Sequence, residues 1–142
     1  MHHDFTPLCA GELERVRWVS LCQMIDARGA LTAIEAQQTA PFDIKRVYFL
    51  NRIKADRAGH AHRDTQQLVI AVAGQFQLEL SNGKQSCVHY LVDSSRGLYI
   101  PPMLFIRLSH FSDDAVVMVM ASTHYDKSRS IRSWDEYVAE VT

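Results

Sequence analysis

The stretch Arg57-Ala-Gly-His60-Ala-His62-Arg-Asp-Thr-Gln-Gln67-Leu-Val-Ile-Ala-Val-Ala-Gly74 decides the fold of this chain. Its two histidines are one residue apart, and an apolar run follows them. Because successive side chains of a β-strand point to opposite faces, this spacing directs His60 and His62 at the same place. We interpret the stretch as a strand with a polar pocket on one face. A solvated edge strand carrying two surface histidines is the alternative.

The composition is that of one ordinary globular domain. The chain has 142 residues, of which 47% are hydrophobic and 22% charged. This length can bury enough surface for a single core over residues 1–142. The formal net charge of −1 supplies no long-range basic field, so nucleic acid and anionic membrane surfaces are poor candidate partners.

The amino terminus and the cysteines predict a cytoplasmic location. The first residues, Met1-His-His-Asp-Phe5, lack the basic and apolar regions of a signal peptide, and no apolar run approaches the roughly 18 residues of a membrane span. Cys9, Cys22 and Cys87 are an odd number of cysteines at no metal-like or redox-like spacing. Free thiols of this kind fit a reducing compartment.

Short runs rich in β-branched and aromatic residues, separated by Asp, Ser, Gly and Pro turns, predict an all-β fold. The predicted strands cover 16–22, 29–35, 44–50, 68–73, 75–80, 87–92, 97–100, 103–109 and 115–122. Segment 51–59 is predicted as a loop, and Asn82-Gly83 as a tight hairpin turn with both residues at positive φ. Only the tail has a helical pattern, with Ser133 as N-cap and Glu136 three residues later. Many short strands favour an antiparallel sandwich or barrel over a βαβ fold.

The histidine stretch resembles the first signature of the cupin barrels. In that signature, His-x-His is followed after four residues by an acidic or amide residue, and after six more residues by Gly. Here His62, Gln67 and Gly74 have this spacing. Many cupins hold a transition metal with these groups and a later histidine. Here Gln67 is a poor ligand, and Phe105 and Ile106 stand where the later histidine is needed, so we predict no tightly bound metal.

Without a metal, two neutral imidazoles in a barrel suit proton transfer, because an ordinary histidine titrates near cellular pH. Tyr48 shares strand parity with Arg46 and is predicted to point into the same cavity as a phenolic donor to a developing oxyanion. Guanidinium groups bind phosphate through paired hydrogen bonds. The predicted substrate-binding residues are Arg46, Arg52, Arg57, Gln67, Tyr99 and Arg107.

Several motifs together resemble the dTDP-4-keto-6-deoxyglucose 3,4-ketoisomerases, the WxcM-like branch of the cupins. They are Pro41-Phe-Asp-Ile-Lys-Arg46-Val-Tyr48, Gly59-His-Ala-His62-Arg with Gln67, Gly97-Leu-Tyr99-Ile-Pro-Pro102, Phe111-Ser-Asp-Asp-Ala-Val-Val, and Ala121-Ser122 with Tyr125-Asp126. The resemblance implies a homodimeric, RmlC-like jelly-roll barrel with a short C-terminal helix that needs no metal or other cofactor. It also implies that His60 and His62 are the catalytic acid/base pair, with Tyr48 and Arg52 beside them.

The resemblance further implies the reaction. A 3,4-ketoisomerase moves the ketone of a dTDP-linked 4-keto-6-deoxy sugar from C4 to C3 through an enediol, on the way to the amino sugars of surface polysaccharides. Two alternatives remain open. A 3,5-epimerase shares the jelly roll but normally pairs one histidine with a tyrosine acid, and a non-catalytic sugar-nucleotide-binding cupin has no need of two titrating groups.

Overall fold

The computed structural model describes residues 12–142, so the predictions for Met1–Phe5 and Cys9 lie outside the described residues. Within this range the chain forms twelve strands and one α-helix. The strands are β1 (Arg17–Ser20), β2 (Cys22–Asp26), β3 (Gly29–Ala33), β4 (Arg46–Leu50), β5 (Arg57–His62), β6 (Gln67–Ala73), β7 (Phe76–Ser81), β8 (Ser86–Leu91), β9 (Arg96–Ile100), β10 (Phe105–Ser109), β11 (Val116–Ala121) and β12 (Ser130–Ile131), and the helix is α1 (Trp134–Val141).

Two five-stranded antiparallel sheets pack face to face. The first has the strand order β1-β9-β6-β11-β4, and the second has the order β12-β5-β10-β7-β8. Strands β2 and β3 form a separate hairpin, joined at Asp26 and Gly29. The predicted all-β fold with a short C-terminal helix is confirmed.

Strand alternation places the core between the two sheets. Val69 and Ala71 of β6 face inward with Leu78 of β7 and Val117 of β11, and all four are almost fully buried. The intervening residues of β6 face outward, where Leu68 packs with a second cluster that covers the outer face of the first sheet. The same parity decides which side chains can reach the interior.

Helix α1 covers the outer face of the second sheet. The Ser133 hydroxyl accepts a hydrogen bond from the backbone N–H of Glu136 at 3.3 Å, which confirms the predicted N-cap. Tyr137 is fully buried, and its hydroxyl donates to the carbonyl oxygens of Ser81 (3.0 Å) and Met103 (2.7 Å). No helix within residues 12–142 is long and apolar enough to cross a lipid bilayer.

The structure corrects three local predictions. The predicted strand 16–22 is two strands, because the chain turns at Leu21, whose side chain is buried and whose N–H donates to the Ser95 carbonyl. The predicted loop 51–59 ends early, because β5 begins at Arg57 and pairs with β10. The turn at Asn82 is longer than predicted: only Gly83 has positive φ, and the Asn82 side chain instead accepts the N–H groups of the next turn residues.

Candidate active site

A cavity of about 670 Å³ is lined by residues of both sheets. Strands β4, β5, β10 and β11 and the segment between β11 and α1 contribute its walls. The lining residues are Arg46, Tyr48, Leu50, Asp56, Arg57, Gly59, His60, His62, Thr65, Leu108, Val119, Thr123, His124, Tyr125, Asp126, Arg129, Ser130 and Arg132. Five predicted site residues, Arg46, Tyr48, Arg57, His60 and His62, therefore meet in one place.

Strand β5 presents both histidines to this cavity. Ala61 between them points to the opposite face and is fully buried against α1. The two imidazole rings meet edge to face, with centroids 4.8 Å apart and planes at 82°. His62 lies opposite Ser130 of β12, and His60 lies opposite Ile106 of β10.

Gly59 lets β5 approach its neighbour closely just before the histidines. Its φ is +118°, and a Cβ added there would lie 2.5 Å from the Phe105 ring and 3.0 Å from Arg107 Cγ. A larger residue could not keep this backbone conformation without strain. The glycine therefore contributes to the placement of His60.

The cavity keeps both imidazoles neutral. The pKa of His60 is lowered from 6.5 to about 4, first by burial and then by the charges of Arg132, Arg57 and Arg46. The pKa of His62 is lowered to about 3, again chiefly by burial, with smaller contributions from His60, Arg46 and Arg132. Burial disfavours the charged form of an imidazole, and neighbouring cations act in the same direction. At neutral pH each ring can therefore accept a proton.

Arg46 and Tyr48 project from β4 into the same cavity, as their shared parity predicts. The guanidinium of Arg46 lies 5.1 Å from the ring centroid of Tyr48 and 5.4 Å from that of Tyr125. Two buried nitrogens of the cavity, Arg46 Nε and His62 Nε2, have no hydrogen-bond partner within residues 12–142. A buried polar atom without a partner is costly, so a polar ligand that contacted them would remove this cost.

The charge of the cavity suits an anion. Arg46, Arg57 and Arg132 line it without forming an ion pair inside the described part of the chain. Arg129 differs, because it pairs with both Asp64 and Asp126. Unpaired guanidinium groups are well suited to bind a phosphate or diphosphate.

Four predicted substrate-binding residues do not line the cavity. Arg52 lies exposed in the loop after β4, and Arg107 lies on the outer face of β10, where it pairs with Glu79 at 3.7 Å. Tyr99 faces outward because its neighbours in β9 face the core. Gln67 is buried behind the cavity wall and bonds to Tyr48. Substrate contact by these four side chains remains a prediction that the cavity does not support.

One wall of the cavity was not predicted. The segment from Thr123 to Arg132 closes it, and the short strand β12 attaches this segment to β5. The Arg63 side chain reinforces the attachment by donating to the Ser128 carbonyl at 3.0 Å and to Glu140. Tyr125-Asp126 was part of the family motif, but a two-residue strand leaves no periodic signal in the sequence.

The donor set does not fit a cupin metal. No group of three or more His, Cys, Asp or Glu side chains that could hold a metal ion is present within residues 12–142. Gln67, at the position of the metal-binding carboxylate, directs its amide nitrogen to Tyr48, and Ile106 lies opposite His60.

Comparisons with known proteins identify relatives over nearly the whole chain. The chain is 34% identical over 128 residues to the TDP-4-oxo-6-deoxy-alpha-D-glucose-3,4-oxoisomerase of Aneurinibacillus thermoaerophilus, which covers 87% of this chain and 92% of that protein. The structure is similar to that of QdtA, a sugar 3,4-ketoisomerase from Thermoanaerobacterium thermosaccharolyticum in complex with TDP. That match has a TM-score of 0.87 and 32% identity over 92% of this chain and 96% of QdtA.

Two further structures support the fold. The WlaRB TDP-quinovose 3,4-ketoisomerase of Campylobacter jejuni matches with a TM-score of 0.84 and 32% identity, over 89% of this chain and 99% of its own. The rmlC epimerase of Mycobacterium tuberculosis is only 15% identical, over 97% of this chain and 76% of its own. Its TM-score of 0.69 confirms the RmlC-like cupin fold and says nothing about activity. The family described as WxcM-like, C-terminal matches residues 14–142. The chain therefore belongs to the WxcM-like family of cupins, as its motifs predicted.

Proposed function

We propose that the chain is an isomerase, a dTDP-4-keto-6-deoxyglucose 3,4-ketoisomerase. The observation that carries the proposal is the pair of half-buried, neutral histidines in a cavity with unpaired arginines. The relatives that cover most of the chain are named as enzymes of this activity. A histidine-to-asparagine variant of QdtA has been crystallised with TDP-4-keto-6-deoxyglucose, which supports a role for histidine in the same reaction.

The reaction needs proton transfers and no net redox change. A neutral imidazole removes the proton from C3, which the neighbouring C4 carbonyl acidifies, and the C–H electron pair forms the C3=C4 double bond of an enediolate. O4 takes up a proton, O3 loses one, and a histidine delivers a proton to C4. The product carries its ketone at C3. His60 and His62 are the groups that exchange these protons.

Other cavity residues stabilise charge. Tyr48 donates a hydrogen bond to the oxygen that becomes negative, because its pKa is raised by burial and its phenol stays protonated. Arg46 and Arg57 bind the diphosphate side of the substrate, and Arg132 supports them. The nucleotide supplies binding energy remote from the reacting carbons, which orients the sugar.

Proton NMR of the chain incubated with dTDP-4-keto-6-deoxyglucose tests this function. A 3-keto product is the expected result. Inversion at C5 would instead identify a 3,5-epimerase, and an unchanged spectrum would identify a non-catalytic binding protein. The paired histidines favour the isomerase over both.

We also propose that the protein is a homodimer. The β2–β3 hairpin pairs with no other strand within the described residues, and it exposes Met24, Ile25 and Leu31. Val47 and Phe49 lie on β4, which is an edge strand among residues 12–142, and they are 54% and 59% exposed. An isolated two-stranded hairpin and an exposed apolar edge are both stabilised when a second copy covers them.

The remaining predictions concern extent and location. We propose that residues 1–142 form one cupin domain and that the protein acts in the cytoplasm, where sugar nucleotides are made.

A further inference from the structure

Gln67 is a buried amide that the proposed reaction does not yet use. It begins β6 and is 3% exposed, and its side chain faces the barrel interior with those of Val69 and Ala71. Its Nε2 donates a hydrogen bond to the hydroxyl oxygen of Tyr48 at 3.3 Å. The amide itself does not line the cavity, whereas Tyr48 does. Gln67 can therefore act on a substrate only through Tyr48.

The register of the first sheet explains how Gln67 reaches a residue two strands away. Strand β11 lies between β6 and β4, and Ala121 of β11 lies opposite both Gln67 and Arg46. Ala121 is fully buried, and its side chain is a single methyl group. The long glutamine side chain can cross above that methyl group to the phenol of Tyr48.

The hydrogen bond from Gln67 determines what the Tyr48 hydroxyl can still do. A phenol has one proton to donate and lone pairs that accept. The amide N–H of Gln67 occupies an acceptor position, and the Tyr48 proton has no acceptor within residues 12–142. Because the ring lines the cavity, that proton remains available to a ligand there.

We propose that Gln67 is a positioning residue that holds Tyr48 as a hydrogen-bond donor toward the sugar oxygen that becomes the enediolate. This inference rests on the proposed ketoisomerase function and reassigns Gln67 from substrate contact to the support of Tyr48. The amide presents its Nε2 to Tyr48, and this nitrogen can only donate to the phenol. A carboxylate at the same place would accept the phenolic proton and draw it away from the cavity.

The protonation of Tyr48 is consistent with this role. Burial raises its pKa above the ordinary value of 10.0, while the charges of Arg46 and Arg57 and the hydrogen bond from Gln67 oppose that rise. The phenol therefore keeps its proton at neutral pH. Loss of the Gln67 amide removes one of the lowering contributions, so the pKa of Tyr48 is expected to rise further.

Kinetics of Gln67→Met, Tyr48→Phe and the double variant test the proposal. Methionine keeps the length of glutamine and removes its amide. Tyr48→Phe is expected to lower kcat by about 100-fold, the usual loss for one oxyanion donor, and Gln67→Met by roughly tenfold, with KM nearly unchanged. The double variant is expected to match Tyr48→Phe, because residues that act through one group are not additive.

Gln66→Met is the matched control. Gln66 precedes Gln67 and accepts a hydrogen bond from a tyrosine, Tyr99, at 2.6 Å, but this pair does not line the cavity. The kcat of Gln66→Met is expected to equal that of the wild type. A fall as large as that of Gln67→Met would mean that any loss of a glutamine–tyrosine bond disturbs the sheet, which overturns the proposal.

NMR titration of 13C-labelled tyrosine supplies a readout that needs no turnover. The Tyr48 resonance, assigned with Tyr48→Phe, is expected to titrate at higher pH in Gln67→Met than in the wild type. Multiplicative losses in the double variant, or an unchanged Tyr48 titration, would overturn the role of Gln67 while leaving the ketoisomerase intact. A wild type that forms no 3-keto product would instead overturn the proposed function, and this role with it.

Discussion

At the scale of single residues, the proposed mechanism assigns the proton transfers to His60 and His62, and their burial lowers the stability of the folded chain at acidic pH. Each has a pKa below 6.5 in the folded protein, about 4 for His60 and about 3 for His62. An unfolded chain therefore binds more protons than the folded one as the pH falls below 6.5. Their contribution to stability is fully present above about pH 6.5 and is lost progressively as the pH falls toward 4 and 3.

We therefore expect the melting temperature of the wild type to fall between pH 6.5 and 4, and the fall to be smaller in His60→Asn/His62→Asn. Asparagine does not titrate, so the double variant lacks this proton uptake on unfolding. Calorimetry from pH 7.5 to 4 measures the difference. Parallel curves for the two proteins would show that the histidines titrate alike in the folded and unfolded chains.

Gly59 supplies a second prediction at this scale. Gly59→Ala should reduce stability by about 1–3 kcal/mol, because the residue holds a φ that side chains rarely adopt and its Cβ would lie 2.5 Å from the Phe105 ring. Activity should fall as well, since His60 is the next residue. Urea denaturation and kcat measure the two effects. Gly29→Ala is the control, because Gly29 also has positive φ but a Cβ there meets no atom within 4 Å.

Sequence reasoning succeeded for residues whose side-chain direction follows from strand alternation. The His-x-His spacing placed His60 and His62 on one face, and the shared parity of Arg46 and Tyr48 placed them in the same cavity. The same alternation could have excluded Tyr99, because Leu98 and Ile100 on either side of it are core residues. The family motif includes Tyr99, whereas the strand pattern directs its side chain away from the cavity.

At the scale of elements, α1 holds the second sheet from outside the barrel. Tyr137 donates to the carbonyls of Ser81 and Met103, which connects the helix to the end of β7 and to the turn before β10. Burial raises the pKa of its hydroxyl to about 12, so it remains a donor across the working pH range. The attachment lies outside the cavity.

Tyr137→Phe should therefore lower stability and leave the chemistry intact. The buried Ser81 carbonyl and the partly buried Met103 carbonyl lose their shared donor, a loss of about 1–3 kcal/mol. Urea denaturation measures the change, and kcat at a temperature well below the transition should equal that of the wild type. A selective loss of kcat would show that α1 shapes the cavity directly.

Elements defined by long-range contacts were the ones that the sequence did not reveal. Strand β12 has two residues and pairs with β5 across more than sixty positions of sequence. The wall that it forms is fixed by two long-range contacts: Arg63 donates to the Ser128 carbonyl, and Asp64 forms an ion pair with Arg129. Such contacts have no local pattern, whereas the amphipathic strands and the capped helix have one.

At the scale of the whole molecule, the dimer proposal predicts the solution mass. The chain has a mass of 16.2 kDa, and light scattering at micromolar concentration should give about twice that value for a homodimer. Phe49→Glu should shift the mass toward the monomer, because it places a charge on the exposed apolar edge. Tyr90→Glu is the control: Tyr90 is similarly exposed at 57% but lies on β8, in the other sheet. A monomeric wild type contradicts the proposal.

Turnover by His60→Asn and His62→Asn tests the central claim most directly, with the affinity for TDP measured on the same proteins. Each variant should lose about two to four orders of magnitude in kcat, the usual contribution of a positioned acid or base, and should bind TDP as the wild type does. His89→Asn is the control, because His89 lies on β8 outside the cavity, and it should turn over normally. If both cavity variants keep wild-type turnover, or if the wild type loses activity to a chelator and regains it with a divalent ion, the histidine mechanism is contradicted.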